Sequence, residues 1–232
     1  MARIEMLRYI KENVRKAQSN SRERRVFGSK LVYLKDQLPY GFDLDYVLRT
    51  VEDLISPHLV HNIDAIYVGD FESFNYNGRN YNASYENGGI YVSNKQDDEN
   101  DMIDDIVHEI AHAAEEQYGE QIYGDNAVQN EFLGKRERLY HLLKQEGFDV
   151  SYNDIMSTEY DEGLDKFFYK TVGYPTMTSL VMGLFYSPYA ATSAREYFAN
   201  GFENYFLRDR NYLKKISPAL YNSIEELNNN GN

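Results

Sequence analysis

The pentapeptide His108-Glu109-Ile110-Ala111-His112, an H-E-x-x-H pattern, constrains the fold of this chain more than any other segment. Residues four apart lie on the same face of an α-helix, so both imidazoles could bind one Zn²⁺ if the segment is helical. The glutamate is turned about 100° from the first histidine, toward a water on the metal rather than the metal itself. The pattern therefore predicts a helix that carries two metal ligands, His108 and His112, and a general base, Glu109.

The residues around the pentapeptide also favour a helix. Apolar side chains recur at helical spacing and form one stripe, which consists of Ile103, Val107, Ile110 and Ala114. Both motif histidines lie just beside that stripe, and they are two of only five histidines in the chain. The alternative is a solvent-facing helix with incidental histidines, because so short a pattern also occurs by chance.

Acidic residues precede and open this predicted helix: Asp97, Asp98, Glu99, Asp101, Asp104 and Asp105. Negative charge stabilises the N-terminus of a helix and solvates the surface, which accounts for most of them. Asp104 lies one turn before His108 and could instead orient its imidazole through a hydrogen bond.

The composition is typical of a folded protein without thiol chemistry. Hydrophobic residues make up 42% of the chain and charged residues 26%, so we expect it to fold. Cysteine is absent, which excludes disulfides, cysteine zinc ligands and a thiol nucleophile. No apolar run is long enough to span a bilayer, and residues 1–8 lack the apolar core of a secretory signal. We therefore expect a soluble protein, cytoplasmic by default, with export not excluded.

Charge is unevenly distributed along the chain. Residues 1–30 carry nine Lys/Arg against three acids, although the whole chain has a net charge of −13. Ile4, Leu7, Ile10 and Val14 give this basic segment the apolar stripe of a helix. We expect it to dock on the acidic remainder of the protein rather than on an anionic partner. The acidic remainder argues against general nucleic-acid binding.

The length of 232 residues suits a single domain, 1–232, with two lobes around a cleft. The N-terminal lobe would cover about 1–125, including the motif helix, and a helical C-terminal lobe about 126–232. In the first lobe, a helix capped by Asp43 is predicted to end before Pro57. Strands are predicted at Ala65–Gly69 and Gly89–Ser93, on either side of a Gly/Asn-rich turn region at 75–82.

After the motif helix the chain is predicted to be almost entirely helical. The predicted helices cover Ala127–Gln145, 162–172, 177–185, 194–206 and 218–227. The fold class is therefore α+β, mostly helical with a small mixed β-sheet before the motif helix, as in zincin-like metallopeptidases. In that fold Gly89–Ser93 could edge the cleft and bind an extended peptide by β-augmentation, or it could be an ordinary inner strand.

A catalytic zinc site needs a third protein ligand. A metzincin would continue the motif as H-E-x-x-H-x-x-G-x-x-H, but Glu115 and Tyr118 occupy the last two of those positions, which excludes that class. His58, His61 and His141 have no spacing that recommends them. The third ligand is therefore sought among the downstream glutamates.

Two glutamates compete for this role. Glu131 follows the motif at a spacing that resembles some gluzincin aminopeptidases, but it lies in a charged helix. Glu196 shares one face of its predicted helix with Asn200 and Glu203. Ser193-x-x-Glu196 also fits a capping box, in which the glutamate only satisfies a backbone N–H. The residues alone leave these alternatives open.

H-E-x-x-H, followed by Tyr-x6-Glu-(Phe/Tyr)-Phe-Ala at 189–199, resembles the anthrax-lethal-factor-like zinc metallopeptidases, which include the Pro-Pro endopeptidases. The resemblance implies that His108, His112 and Glu196 bind Zn²⁺. It also implies that Glu109 is the general base and that Tyr189 stabilises the oxyanion.

The function that the resemblance implies is zinc-dependent hydrolysis of a peptide or protein substrate. The interval between His112 and Glu196 is longer than expected for this family, which predicts an insertion, and Asn200 stands where members often have an acid. Two alternatives are a catalytically inactive zincin-fold binding protein and a zinc hydrolase that acts on non-peptide amides or esters.

Overall fold

The structure is a computed structural model that describes residues 24–76 and 79–230. It confirms an α+β fold that is mostly helical, with a small mixed sheet before the motif helix. The predicted basic N-terminal helix lies outside the described residues. Within the described ranges, no helix is both long and apolar enough to cross a membrane.

The main sheet contains five strands: β1 (Arg24–Val26), β2 (Lys30–Leu34), β3 (Ala65–Gly69), β6 (Ala83–Glu86) and β7 (Gly89–Ser93). Their order across the sheet is β1-β2-β3-β7-β6. The three inner strands run parallel, and each outer strand pairs antiparallel with its neighbour. In the predicted turn region, β4 (Asn75–Tyr76) and β5 (Arg79–Asn80) pair with each other.

The two faces of the main sheet differ in character because side chains alternate along each strand. Ile66 and Val68 of β3, with Ile90 and Val92 of β7, are buried in the core. On the opposite face Tyr33, Tyr67 and Tyr91 stack across β2, β3 and β7, with ring centroids 5.3 and 5.0 Å apart. These three tyrosines thus lie on the face of the sheet that points away from the buried core.

Gly89–Ser93 is an inner strand, because β7 lies between β3 and β6. The edge strand is β6, which the sequence did not predict. The carbonyl of Asn82 accepts a 2.7 Å hydrogen bond from the Ser93 amide, so the main-chain groups of Ala83 and Tyr85 point away from β7. The edge available for β-augmentation is therefore formed by β6.

The helices follow most of the predicted segments. They are α1 (Leu44–Leu54), α2 (Glu99–Tyr123), α3 (Ala127–Gln145), α4 (Tyr152–Ile155), α5 (Glu162–Lys166), α6 (Tyr174–Val181), α7 (Ala194–Leu207), α8 (Arg210–Ile216) and α9 (Pro218–Asn229). Asp43 caps α1 as predicted, since its side chain accepts a 2.9 Å hydrogen bond from the Tyr46 amide.

Two predicted helices differ from the observed ones. The segment 162–172 begins as α5 but continues as a π-helical stretch over Phe167–Gly173. The segment 177–185 is shifted, because α6 begins at Tyr174 with Pro175 in its first turn. Pro175 fits the first turn because it lacks only an amide hydrogen that the first turn leaves unpaired.

Helices α2 and α7 pack against each other and together place the site. The predicted apolar stripe of α2, which includes Ile103, Val107 and Ile110, is buried. Helix α7 in turn approaches α9 at Gly201, where a Cβ atom would lie only 2.3 Å from Leu220 Cδ2. The packing leaves the polar faces of α2 and α7 opposite each other.

Candidate metal centre

The structure brings together His108, His112 and Glu196, which is 88 residues from His108 in the chain. Ligand atoms of these three residues all lie within 4.8 Å of one another. His108 Nε2 is 3.2 Å from Glu196 Oε2, and His112 Nε2 is 3.7 Å from Glu196 Oε1. In the part of the chain that the structure describes, no other His, Asp and Glu side chains form such a group.

These spacings fit a zinc ion. Zn–N and Zn–O bonds of about 2.0–2.1 Å at tetrahedral angles separate the ligand atoms by roughly 3.3–3.5 Å. The distances from the two imidazoles to the Glu196 carboxylate, 3.2 Å to Oε2 and 3.7 Å to Oε1, lie on either side of that value, and the three ligand atoms lie within 4.8 Å of one another. Two imidazole nitrogens and one carboxylate also form a donor set that is typical of catalytic rather than structural zinc.

The motif helix presents both histidines to the same side, as predicted. Their ring centroids lie 5.0 Å apart, and their side chains are largely buried, with 17% of His108 and 7% of His112 exposed. Asp98 caps α2, because its carboxylate accepts from the amides of Asn100 and Asp101. The acidic segment before the helix therefore stabilises its N-terminus, as predicted, and it does so through a cap that the sequence analysis did not specify.

Of the two roles that the sequence left open for the Glu196 side chain, the structure shows the position beside the histidines. Ser193 Oγ accepts a 3.1 Å hydrogen bond from the Glu196 amide and so caps α7. The Glu196 carboxylate points toward His108 and His112, and only 12% of its side chain is exposed. Ser193 therefore fixes the first turn of α7, while Glu196 remains a candidate ligand.

Glu131 lies elsewhere. Its carboxylate accepts hydrogen bonds from the Tyr197 hydroxyl at 2.8 Å and from the amides of Ala219 and Leu220 at 2.9 and 3.1 Å. It thus caps the start of α9 and does not belong to the ligand group. His58, which was a further alternative, has its Nε2 2.9 Å from the carbonyl of Leu227.

The ligand group lies where two compartments of a cleft meet. The larger has a volume of about 760 Å³ and the smaller about 730 Å³. The residues that line both are Tyr85, Glu86, His112, Tyr160, Arg195 and Glu196. Strand β6 borders both compartments, so an extended ligand could lie along it and pass the ligand group.

Glu109 lies in the larger compartment beside the ligand group, and 6% of the residue is exposed. Burial raises the pKa of its carboxyl, although His112 and His108 act in the opposite direction. The Tyr85 main-chain amide of β6 donates a hydrogen bond to this carboxylate. A buried carboxylate with a raised pKa is suited to accept a proton and to return it.

Tyr189 lies in a 3₁₀ turn, Tyr189–Ala191, just before α7. It lines the larger compartment, and its ring centroid is 6.4 Å from that of His108. Thr192 Oγ1 donates a 2.7 Å hydrogen bond to the Tyr189 carbonyl. The structure therefore places the predicted oxyanion donor in the same cleft as the ligand group and Glu109.

The electrostatics of the ligand group suit a cation. Burial lowers the pKa of His108, but hydrogen bonds to the Glu196 and Glu203 carboxylates outweigh it and raise that pKa to about 10. Burial raises the pKa of Glu196, but His108, His112 and Arg195 outweigh it and leave that pKa lowered. The carboxylates thus favour positive charge at this point, and Zn²⁺ would replace the proton on His108.

The predicted alternative role of Asp104 is wrong, because its carboxylate forms an ion pair with Arg208. Glu203 takes its place behind His108, with Oε2 3.5 Å from Nδ1. One sequence signal pointed to Glu203: it was predicted to lie on the same helix face as Glu196. Glu115 had a signal in its position one turn after His112 on the motif helix, whereas Arg195, which also contacts His112, had none.

Comparison of the chain with protein-family models, with curated proteins and with solved structures finds no match. No family is thereby assigned. Conclusions about function rest on the residues of the cleft and on their geometry.

Proposed function

We propose that this protein is a zinc-dependent metalloendopeptidase with a zincin-like fold, similar to the anthrax-lethal-factor-like metallopeptidases. The observation that carries the proposal is the group of His108, His112 and Glu196, whose ligand atoms lie within 4.8 Å of one another in an open cleft. Glu109 lies beside this group, where a general base is required. The ligands of the zinc ion are His108, His112 and Glu196.

When bound, Zn²⁺ supplies a Lewis acid and a water of lowered pKa. Glu109 accepts the proton of the attacking water and returns it to the leaving nitrogen of the peptide bond. Its burial and raised pKa support this double role, because the carboxyl must both take up and release a proton near neutral pH. The Tyr189 hydroxyl donates a hydrogen bond to the oxygen of the attacked carbonyl, on which negative charge develops.

The substrate is an extended peptide that pairs with β6. The main-chain groups of Ala83 and Tyr85 point away from β7. The Tyr85 amide reaches Glu109, so a peptide would pair with the Ala83 groups and the Tyr85 carbonyl. A peptide added at this edge would therefore lie in front of the general base. Space on both sides of the ligand group favours cleavage within a chain rather than at its end.

Zinc content tests the ligand set. Elemental mass spectrometry should find about one zinc per chain in the wild type and a marked loss in Glu196→Ala. Glu120→Ala, an exposed residue of the same motif helix, is the matched control and should retain the metal. An equal zinc content in wild type and Glu196→Ala would contradict the proposed ligand, and absence of zinc from reconstituted wild type would contradict the metal site.

Hydrolysis tests the activity. A peptide library should be cleaved at internal bonds by the wild type, whereas Glu109→Gln should bind zinc and lose about 10²–10⁴ in rate. Zinc binding without cleavage of any peptide would favour a non-catalytic binding protein. Zinc-dependent cleavage of simple esters or amides, but not of peptides, would favour a different hydrolase.

A further inference from the structure

Each candidate ligand histidine has a carboxylate behind it. The Nε2 atoms of His108 and His112 both face Glu196. On the other side of each ring, Glu203 Oε2 lies 3.5 Å from His108 Nδ1, and Glu115 Oε2 lies 3.7 Å from His112 Nδ1. Both carboxylates are largely buried, with 18% and 14% of their side chains exposed.

The two carboxylates come from different helices. Glu203 is two turns after Glu196 on α7, so both lie on one face of that helix. That face therefore carries a candidate ligand, Glu196, and the carboxylate behind His108, Glu203. Glu115 is one turn after His112 on α2, and the Tyr123 hydroxyl donates a hydrogen bond to it. Glu115 is therefore fixed in place before any metal binds.

Arg195 introduces an asymmetry at His112. Its Nε donates a 3.1 Å hydrogen bond to His112 Nδ1 and lies 3.5 Å from Glu115 Oε2. A donor at Nδ1 requires a lone pair there, which leaves the hydrogen of a neutral imidazole on Nε2. An imidazole with a hydrogen on Nε2 cannot bind a metal through that atom. The contact with Arg195 and metal binding through Nε2 are thus mutually exclusive.

We propose that Glu203 and Glu115 are the positioning residues of the two ligand imidazoles, and that Arg195 competes with zinc binding by holding His112 in the wrong tautomer. The inference rests on the proposed zinc site. In the metal-bound state His112 donates from Nδ1 to Glu115, and Arg195 pairs with the Glu115 carboxylate alone. His108 donates from Nδ1 to Glu203, so both rings present a lone pair on Nε2.

Opposite effects on zinc affinity distinguish these roles. Loss of a carboxylate behind a ligand histidine typically weakens metal binding by about 10–100-fold. Zinc affinity should fall by this factor in Glu203→Ala and in Glu115→Ala. It should fall less in the corresponding glutamine variants, because the amide oxygen can still accept a hydrogen bond. Arg195→Met should bind zinc more tightly by a factor of about two to five, the size of a screened charge interaction.

The experiment measures the Zn²⁺ dissociation constant of the full chain by competition with a chromophoric chelator. Asp104→Asn and Glu116→Gln are matched controls, because these acids lie on the same helix but contact Arg208 and the Tyr85 hydroxyl. Both should keep the wild-type affinity. Thermal unfolding of each metal-free variant separates an effect on the ligands from a general loss of structure.

The spectrum of bound Co²⁺ gives a second readout, because its visible absorption depends on ligand geometry. The Glu203 and Glu115 variants should shift these bands, whereas the two controls should not. Wild-type affinity and spectrum in both alanine variants would overturn the inference and leave the zinc site intact. Weaker binding in Arg195→Met would overturn the competitive role of Arg195. Absence of zinc binding in wild type would overturn the inference together with the proposed function.

Discussion

A buried arginine fixes the turn that carries Tyr189. Arg136 of α3 is fully buried, and its guanidinium donates to the carbonyl of Ala191 in that turn and to the carbonyl of Ile155 at 2.6 Å. A buried cation is costly unless its donors are satisfied, so these hydrogen bonds hold the turn in one position. A rigid turn can hold the Tyr189 hydroxyl in place before a substrate binds.

Tyr189→Phe should therefore lower kcat by about 10²–10³ and leave the zinc content unchanged, because only the oxyanion donor is removed. Steady-state kinetics with a cleaved peptide, together with elemental analysis, measures both quantities. Tyr40→Phe, an exposed tyrosine that lines neither compartment, is the control and should keep its activity. A Tyr189→Phe variant with the wild-type kcat would exclude the oxyanion role.

Asp105 makes the stability of the protein depend on pH. Burial raises the pKa of its carboxyl to about 6 from 3.8, against a hydrogen bond from Gln96 that lowers it. The folded state therefore holds this proton more tightly than the unfolded state. The free energy of unfolding falls as the pH rises from about 4 through 6, and the penalty is complete above that range.

Asp105→Asn should remove this penalty, because an amide has no charge to bury. The free energy of unfolding of the variant should exceed that of wild type by on the order of 2 kcal/mol at pH ~8, and by much less at pH ~4. Urea unfolding at both pH values measures the difference. Asp101 is an exposed acid of the same helix, and Asp101→Asn is the control. Its effect on the free energy of unfolding should be nearly the same at both pH values. An equal gain for Asp105→Asn at both pH values would contradict the assignment.

Glu131 joins α3 to the start of α9. It accepts from the amides of Ala219 and Leu220 and from the Tyr197 hydroxyl. Lys135, one turn further along α3, donates to the same hydroxyl at 2.6 Å and to Ser217 at 2.5 Å. These hydrogen bonds connect α3, α7 and α9 behind the ligand group.

Glu131→Ala should destabilise the protein by about 1–2 kcal/mol and leave zinc bound, because the change removes a helix cap rather than a ligand. Thermal or urea unfolding and zinc analysis of the same preparation test this. Glu196→Ala, in contrast, should lose the zinc. Loss of zinc from a folded Glu131→Ala protein would indicate that Glu131 is a zinc ligand.

Helices were easier to predict from this sequence than strands. The bounds of α3 and the Asp43 cap of α1 could be predicted because a cap and a helical stripe are local patterns. Strand β6 could not, because its four residues become a strand only by pairing with β7, and no alternation identifies them. The strand that edges the cleft was therefore missed.

The site as a whole depends on how α2 and α7 pack against each other. The spacing of His108 and His112 could be predicted because both lie on one helix. The choice of Glu196 over Glu131 required a resemblance, since each glutamate fits a helix equally well. Glu203 and Arg195 reach the histidines only where the two helices face each other, and no sequence spacing encodes that contact, whereas Glu115 lies one turn after His112 on the same helix.

A metal held by these residues would connect distant parts of the chain, because His108 and Glu196 are 88 residues apart and lie on different helices. A ligand that binds only the folded state stabilises it by RT ln(1 + [L]/Kd), or about 4 kcal/mol at a thousandfold excess over Kd. Zinc should therefore raise the melting temperature of the metal-free wild type, and a chelator should reverse the rise. Glu196→Ala should show no such response, whereas Glu120→Ala should respond like wild type. An equal rise in Glu196→Ala would mean that zinc binds at another place, because the variant lacks the only ligand that α7 provides.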